Sequence, residues 1–261
     1  MKRVAPLLLS AAGLLAASFL LAEVHPFGNP ALSATPASAP QTEAIPPEVR
    51  AILSEKCADC HASPARIRVY GHLAPASWLI ERDVVRARAA MDLSRWRAYS
   101  PDEQETLRSK IAQEAKTRSM PPPQYLAVHW NARLNDADIQ ILIRWAAAHP
   151  VPFFVPQNAV PGDPQRGRFV FEKRCTGCHA LDRDREGPHL AGAYGRASGT
   201  APGFDYSDAL RHAHIVWGDT TLDRWLTDPD AFVPGNNMEF HVANPQERAD
   251  LIRFLRSESG R

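Results

Sequence analysis

Two copies of one short pattern limit what this chain can be. They are Cys57-Ala-Asp-Cys60-His61 and Cys175-Thr-Gly-Cys178-His179, and between them they use all 4 cysteines of the 261 residues. No thiol is left for a disulfide framework or a lone catalytic nucleophile. In a Cys-x-x-Cys-His run the two thiols can form thioethers with the vinyl groups of a haem while the adjacent histidine ligates the iron. A CxxC pair alone could also be a redox dithiol or half of a zinc site. A tetrahedral zinc held by the four cysteines would leave both histidines unexplained. The reading is two covalently attached haem c groups, with Cys57, Cys60, Cys175 and Cys178 as attachment points and His61 and His179 as iron ligands.

The group opposite each histidine decides the chemistry. Methionine there closes the iron for electron transfer, and an open position admits ligands. Of the 4 methionines, Met1 is the first residue and Met91 falls in helical-looking sequence. Met120 and Met238 lie at equal distances beyond His61 and His179. Methionine is often plain core filling. These two, however, sit in stiff loop sequence, Ser119-Met120-Pro121-Pro122-Pro123 and Pro234-Gly235-Asn236-Asn237-Met238. Proline and glycine favour a non-helical loop that can hold a thioether against iron. For the first haem, His129 and His72 compete with Met120. His129 also reads as a packing histidine beside Trp130, and His72 as a loop residue after Gly71.

The amino terminus points to export. Met1-Lys2-Arg3 is basic, and Val4 to Ala22 carries no charge. That stretch is long enough for a spanning helix and longer than the usual apolar centre of a signal peptide. Residues 1–22 read as a signal sequence or a membrane anchor. Leu20 spoils the small-residue pattern before Glu23, which favours the uncleaved anchor. Residues 23–45 read as a Pro/Ala/Ser/Thr-rich spacer without a core of its own. The expected place is the periplasmic side, held at the inner membrane or otherwise soluble. With 44% hydrophobic and 23% charged residues, the composition excludes disorder and a multi-span membrane protein. A net charge of +1 gives no electrostatic case for nucleic acid.

Helix signals fill the remainder. Ser100-Pro101-Asp102-Glu103 and Asn135-Asp136-Ala137-Asp138 have the form of capping boxes. Asp163-Pro164 is an N-cap with proline following. Asn244-Pro245-Gln246-Glu247 places Glu247 at the box position before an apolar stripe of Leu251, Ile252 and Leu255. Residues 75–91 have helical spacing. No segment alternates as a strand does.

The last hundred residues resemble the class I cytochrome c of the mitochondrial type. The resemblance rests on Gly187-Pro188-His189-Leu190-Ala191-Gly192, Gly195-Arg196, residues 203–210, Trp217, Leu222-Asp223-Arg224-Trp225-Leu226 and Met238-Glu239-Phe240. It implies His179 and Met238 as axial ligands and the Pro188 carbonyl as acceptor for the histidine's ring N–H. It implies Arg196, Tyr206 and Trp217 as partners of the haem propionates. Core packing is the plain alternative for Tyr206 and Trp217. The chain departs from the family in its charge. From residue 162 onward 13 basic residues, a single lysine among them, face 15 acidic ones. The family's lysine-based docking to acidic partners is therefore not carried over.

Residues 46–150 resemble a bacterial haem-binding domain family of exported cytochromes. The matching residues include Pro47-Glu48-Val49, Tyr70, Ala74-Pro75-Ala76-Ser77-Trp78, Ser94-Arg95-Trp96, Met120-Pro121-Pro122, Tyr125, His129 and Leu134. The tryptophan usual after the attachment motif is replaced by Ile67-Arg68-Val69. The expected fold class is all-α, with two consecutive cytochrome c-like haem domains after the N-terminal helix. They span 46–150 and 162–261 and are joined by a linker over 151–161.

The expected function is single-electron transfer between periplasmic or membrane redox proteins, with no small-molecule substrate and no catalytic residue required. Two alternatives stand beside it. One is a dihaem peroxidase-type enzyme, and the other is a gas sensor with an open iron at the first haem.

Overall fold

The computed structural model describes residues 4–35, 45–148 and 161–260, with side chains from residue 12 onward. Most of the expected linker and the middle of the expected spacer lie outside the described residues. The described chain is predominantly helical and packs as two compact units.

The first unit holds residues 1–98 and 124–133. Its principal helices are α1 (Val4–Ala22), α2 (Pro47–Ile52) and α3 (Ala76–Ala90). Pro47 stands in the first turn of α2, where its missing N–H and fixed φ fit a helix start. Val49 and Ile52 are buried, and the chain continues through a wider turn, Leu53–Cys57, to the first attachment cysteine. Ile45, Val49, Leu53, Val84, Leu93 and Trp96 are almost fully buried and form much of the unit's interior.

This unit contains a two-residue parallel ladder that the sequence did not announce. Strand β1 (Leu32–Ser33) pairs with β2 (Ala65–Arg66). Two residues are too few to show strand alternation. The first part of the expected spacer also packs. His25 Nδ1 lies 2.6 Å from Glu81 Oε1, and Trp78 Nε1 donates to the Val24 carbonyl at 2.8 Å. Ser18 Oγ donates to the Ala74 carbonyl at 2.6 Å. These contacts are polar and involve single residues, so no apolar period marks them. Among the described residues no helix is long and apolar enough to cross a membrane. Part of the expected anchor over 1–22 falls on residues whose side chains are outside the description.

The second unit holds residues 99–123 and 134–261. Its principal helices are α4 (Pro101–Lys116), α5 (Asp136–Ala147), α6 (Pro164–Val170), α7 (Asp219–Thr227) and α8 (Pro245–Ser257). Both capping boxes form. Glu103 N donates to Ser100 Oγ at 3.3 Å, and Asp138 N donates to Asn135 Oδ1 at 2.9 Å. Helices α4 and α5 pack along each other and bury Ile111, Ala112, Ala115, Ile139, Leu142 and Trp145.

Helices α6 and α8 meet without room for a side chain. A Cβ on Gly167 would fall 2.0 Å from the Asp250 carbonyl oxygen. Phe171, Leu222, Trp225, Leu226, Val242, Leu251 and Phe254 make the core around this crossing. Glu247 departs from its expected capping role. Asn244 caps α8 through Gln246 N at 2.9 Å, and Glu247 pairs with Arg174 instead.

Helices α4 and α5 belong with the carboxy-terminal part. The polar face of α4 is ion-paired to that part, and apolar periodicity carries no trace of such pairs.

Candidate functional site

The second attachment turn is built by α6. Asp163 caps that helix, accepting from Gln165 N at 2.9 Å and Arg166 N at 2.8 Å. A wider turn, Phe171–Cys175, then ends on the first cysteine. The same kind of turn ends on Cys57 in the other motif. Single wide turns of this kind recur at functional sites because they re-aim the residues that follow.

His179 is held from behind. Its Nδ1 lies 2.8 Å from the Pro188 carbonyl oxygen. A carbonyl only accepts, so Nδ1 carries the proton and Nε2 keeps its lone pair for a metal. Burial lowers the pKa of His179 and favours the neutral ring that coordination needs. Gly187 makes room for this ring, since a Cβ there would lie 2.2 Å from His179 Cε1.

Met238 packs, half-buried, against the core. Its backbone N–H donates to Asn236 Oδ1 at 2.6 Å. Asn236 is fully buried, and its amide donates to the Val233 carbonyl at 3.0 Å and to Asp230 Oδ1 at 3.1 Å. The loop that carries the thioether is thus clamped by one side chain. Composition marks the stretch as a loop but does not single out Asn236.

Arg196, Tyr206 and Trp217 are brought close by local pairing. Trp217 N donates to the Arg196 carbonyl at 3.0 Å, and Gly195 N donates to the Trp217 carbonyl at 2.7 Å. Tyr206 is buried and meets Phe204 edge-on at 4.8 Å, while Trp217 tilts against Trp225 at 5.4 Å. Arg196 donates to the His189 carbonyl at 3.0 Å, yet its buried Nε has no partner. A buried guanidinium donor left open in this way fits an anionic group such as a propionate. His189 is fixed in turn by Asp184, whose Oδ1 lies 2.7 Å from its Nδ1. The sequence reading used neither residue in that role.

In the first unit His61 has an equivalent support. Its Nδ1 lies 3.0 Å from the carbonyl oxygen of Met91. Met91 is not within a helix as expected but is the cap just beyond α3, with its side chain buried. Arg68 Nε is buried without a partner, a second open cationic donor. His129 has both nitrogens engaged, Nε2 with Tyr70 Oη at 3.0 Å and Nδ1 with the Tyr125 carbonyl at 3.1 Å. It stacks on Tyr125, whose hydroxyl donates to Asp59 Oδ2 at 2.7 Å. His72 is exposed. Met120 belongs to the second unit, follows α4 and is 44% exposed.

The four thiols share an apolar setting. Burial pushes Cys57 and Cys175 up to about 12, and Cys60 and Cys178 up to about 11. Among the described residues no three His, Cys, Asp or Glu side chains come together as a metal-ion site. Paired cysteines beside a histidine that carries its proton on Nδ1 fit a covalently held haem.

Comparison with known proteins agrees with this chemistry. The haem-binding domain family matches residues 17–148, and the cytochrome c family matches residues 164–259. Cytochrome c of Sesamum indicum is 41% identical over 103 residues, which take in 38% of this chain and 93% of that protein. Cytochrome c of Chlamydomonas reinhardtii is 43% identical over 103 residues, 38% of this chain and 92% of that protein. Among solved structures, cytochrome cH from Methylobacterium extorquens is 35% identical. It covers 37% of this chain and 99% of its own, with a TM-score of 0.36. The chain therefore belongs to the haem-binding domain family in its first half and to the cytochrome c family in its last hundred residues, and it is a cytochrome c-type haem protein.

Proposed function

We propose that the protein is a dihaem electron carrier, with one haem c at Cys57, Cys60 and His61 and another at Cys175, Cys178 and His179. The observation that carries this reading is the repeated support behind the two histidines. Each donates its Nδ1 hydrogen to a backbone carbonyl, which fixes the tautomer whose Nε2 carries the lone pair that an iron would take. The haem supplies the one-electron couple when bound. The chain's own residues hold it: the carbonyls of Met91 and Pro188 orient the rings, and Arg196, Tyr206 and Trp217 receive propionates at the second haem.

Met238 and Met120 complete the reading as the sixth ligands. Asn236 supports Met238 by holding its loop. His129, with both ring nitrogens engaged, is the poorer ligand for the first haem. The alternative is an open iron at the first haem that binds gas or peroxide. The partners are single-electron redox proteins. We place the protein on the periplasmic side, directed there by the uncharged residues 4–22, which remain as an anchor.

Optical and paramagnetic-resonance spectra of the purified protein test the reading. Two low-spin haems per chain with methionine ligation are expected, and a single haem refutes it. Carbon monoxide binding separates carrier from sensor. The reduced wild type should exclude the gas and Met120→Ala should bind it, whereas full binding by the wild type favours the sensor. Membrane fractionation with amino-terminal sequencing tests the anchor, and a chain beginning at residue 23 removes it.

A further inference from the structure

Helix α4 lies against the second attachment turn, and its contacts form a continuous seam. At its start Asp102 pairs with Lys173. One turn on, Glu105 pairs with Arg174, which also holds Glu247. Thr106 closes on the turn itself, with Cγ2 only 3.1 Å from where a Cβ on Gly177 would stand. Lys110 donates to the Gly177 carbonyl at 3.2 Å and pairs with Glu186 at 2.7 Å. At the far end Lys116 pairs with Glu239, the neighbour of Met238, and reaches Asp230 at 3.3 Å.

The partners of α4 therefore frame one edge: the residues before Cys175, Gly177 between the two cysteines, Glu186 in the loop whose Gly187 N–H bonds the Cys178 carbonyl, and the residue after Met238. This is the edge at which the thioethers of the second haem would form. The seam is partly withdrawn from water, with Arg174 7%, the Glu239 side chain 8% and the Lys110 side chain 16% exposed. Three of the chain's five lysines, Lys110, Lys116 and Lys173, are spent on it. Basic charge that could attract a separate acidic protein is neutralised within the chain.

We propose that α4 is a resident partner that occupies the attachment edge of the cytochrome c fold and closes it to other redox proteins, so that these reach the second haem over a different surface. The proposal rests on the second haem assigned under Proposed function.

The test uses the full-length protein with its haems attached. In Lys110→Glu/Lys116→Glu, both pairs with Glu186 and Glu239 become repulsions. Hydrogen exchange should rise in residues 101–116 and 172–179 and stay unchanged in 219–227. A cobalt(III) phenanthroline complex takes one electron from a ferrous haem, giving cobalt(II) and ferric iron. Its rate is read at each haem from paramagnetically shifted haem-methyl resonances, the second set being the one that Met238→Ala shifts. The second haem should react about tenfold faster in the variant, and the gain should persist at high salt, where steering by the altered charges is screened.

Unchanged rates, or a gain that vanishes in salt, overturn the proposal. If the charge reversal prevents folding, Lys110→Gln/Lys116→Gln is read in the same way. Mass spectrometry of peptide 171–186 keeps the two ideas apart. A peptide without haem overturns the two-haem reading and the proposal with it. A haem-bearing peptide with unchanged rates overturns the proposal alone.

Discussion

Met91 accepts a hydrogen bond from the ring of His61 at 3.0 Å, using a backbone atom 30 residues further along the chain. The Met91 side chain is 8% exposed, so the same residue also fills the core beside the first attachment turn. Met91→Ala should lower the stability of the first unit by about 2–5 kcal/mol, the usual range for a buried methionine replaced by alanine. Loosening the carbonyl should also weaken the histidine as a donor and raise the first haem's potential relative to the second. Urea unfolding and a redox titration check the two parts separately.

Gly187→Ala should act at the second site alone. The added methyl has nowhere to go, since it would stand 2.2 Å from His179 Cε1. Displacing the ring or the backbone costs about 1–3 kcal/mol. Paramagnetic resonance should show one of two low-spin signals lost or shifted. Two unchanged signals would show that the loop moves instead of the ring.

Asn236→Ala removes the clamp on the loop of Met238. It leaves the Met238 N–H without its acceptor, and a buried group so orphaned costs about 1–3 kcal/mol. The methionine-to-iron charge-transfer absorption of the ferric protein should weaken and disappear at lower alkaline pH than in the wild type. Asn236→Asp retains the acceptor and should fall between the two.

Acid stability should follow Asp250. Burial alone would raise its pKa. Hydrogen bonds from Arg166, Asp163 N and Gln246 more than offset this and hold it below the usual aspartate range. Arg166 supplies two of these bonds, at 2.9 and 2.8 Å. A carboxyl depressed in the folded state contributes stability that is fully present above the unfolded pKa, about 3.9, and is lost as pH falls through the lower folded value. Asp250→Asn should therefore be less stable at pH 7 and show a flatter loss of stability below pH 4. Unfolding curves across that range check it, and parallel curves for the two proteins would refute it.

The chemistry-bearing residues were legible because their spacing is the chemistry. Two cysteines and a histidine must be adjacent to share one cofactor, so Cys57 to His61 and Cys175 to His179 stand out in a linear text. Capping boxes were legible for the same reason, as Ser100 with Glu103 and Asn135 with Asp138 are local. The Met91 carbonyl was not legible, since every residue has a carbonyl and only the fold chooses one. Glu247 was misread because a capping position and an ion-pair position look alike until Arg174 is placed beside it. The division into units was hidden for a related reason. Helix α4 joins the carboxy-terminal part through charges such as Glu105 and Lys110, whose partners lie far along the chain.

The crossing of α6 and α8 also sets an order of events in the life of the chain. Gly167 finds its place only against Asp250, close to the carboxy terminus. Until synthesis has supplied that last helix, the segment before Cys175 has only α4 to close upon, through Asp102 with Lys173 and Glu105 with Arg174. The attachment turn of the carboxy-terminal domain would then be uncovered on the α8 side while haem is joined to its thiols. Closure of the two helices would then follow attachment.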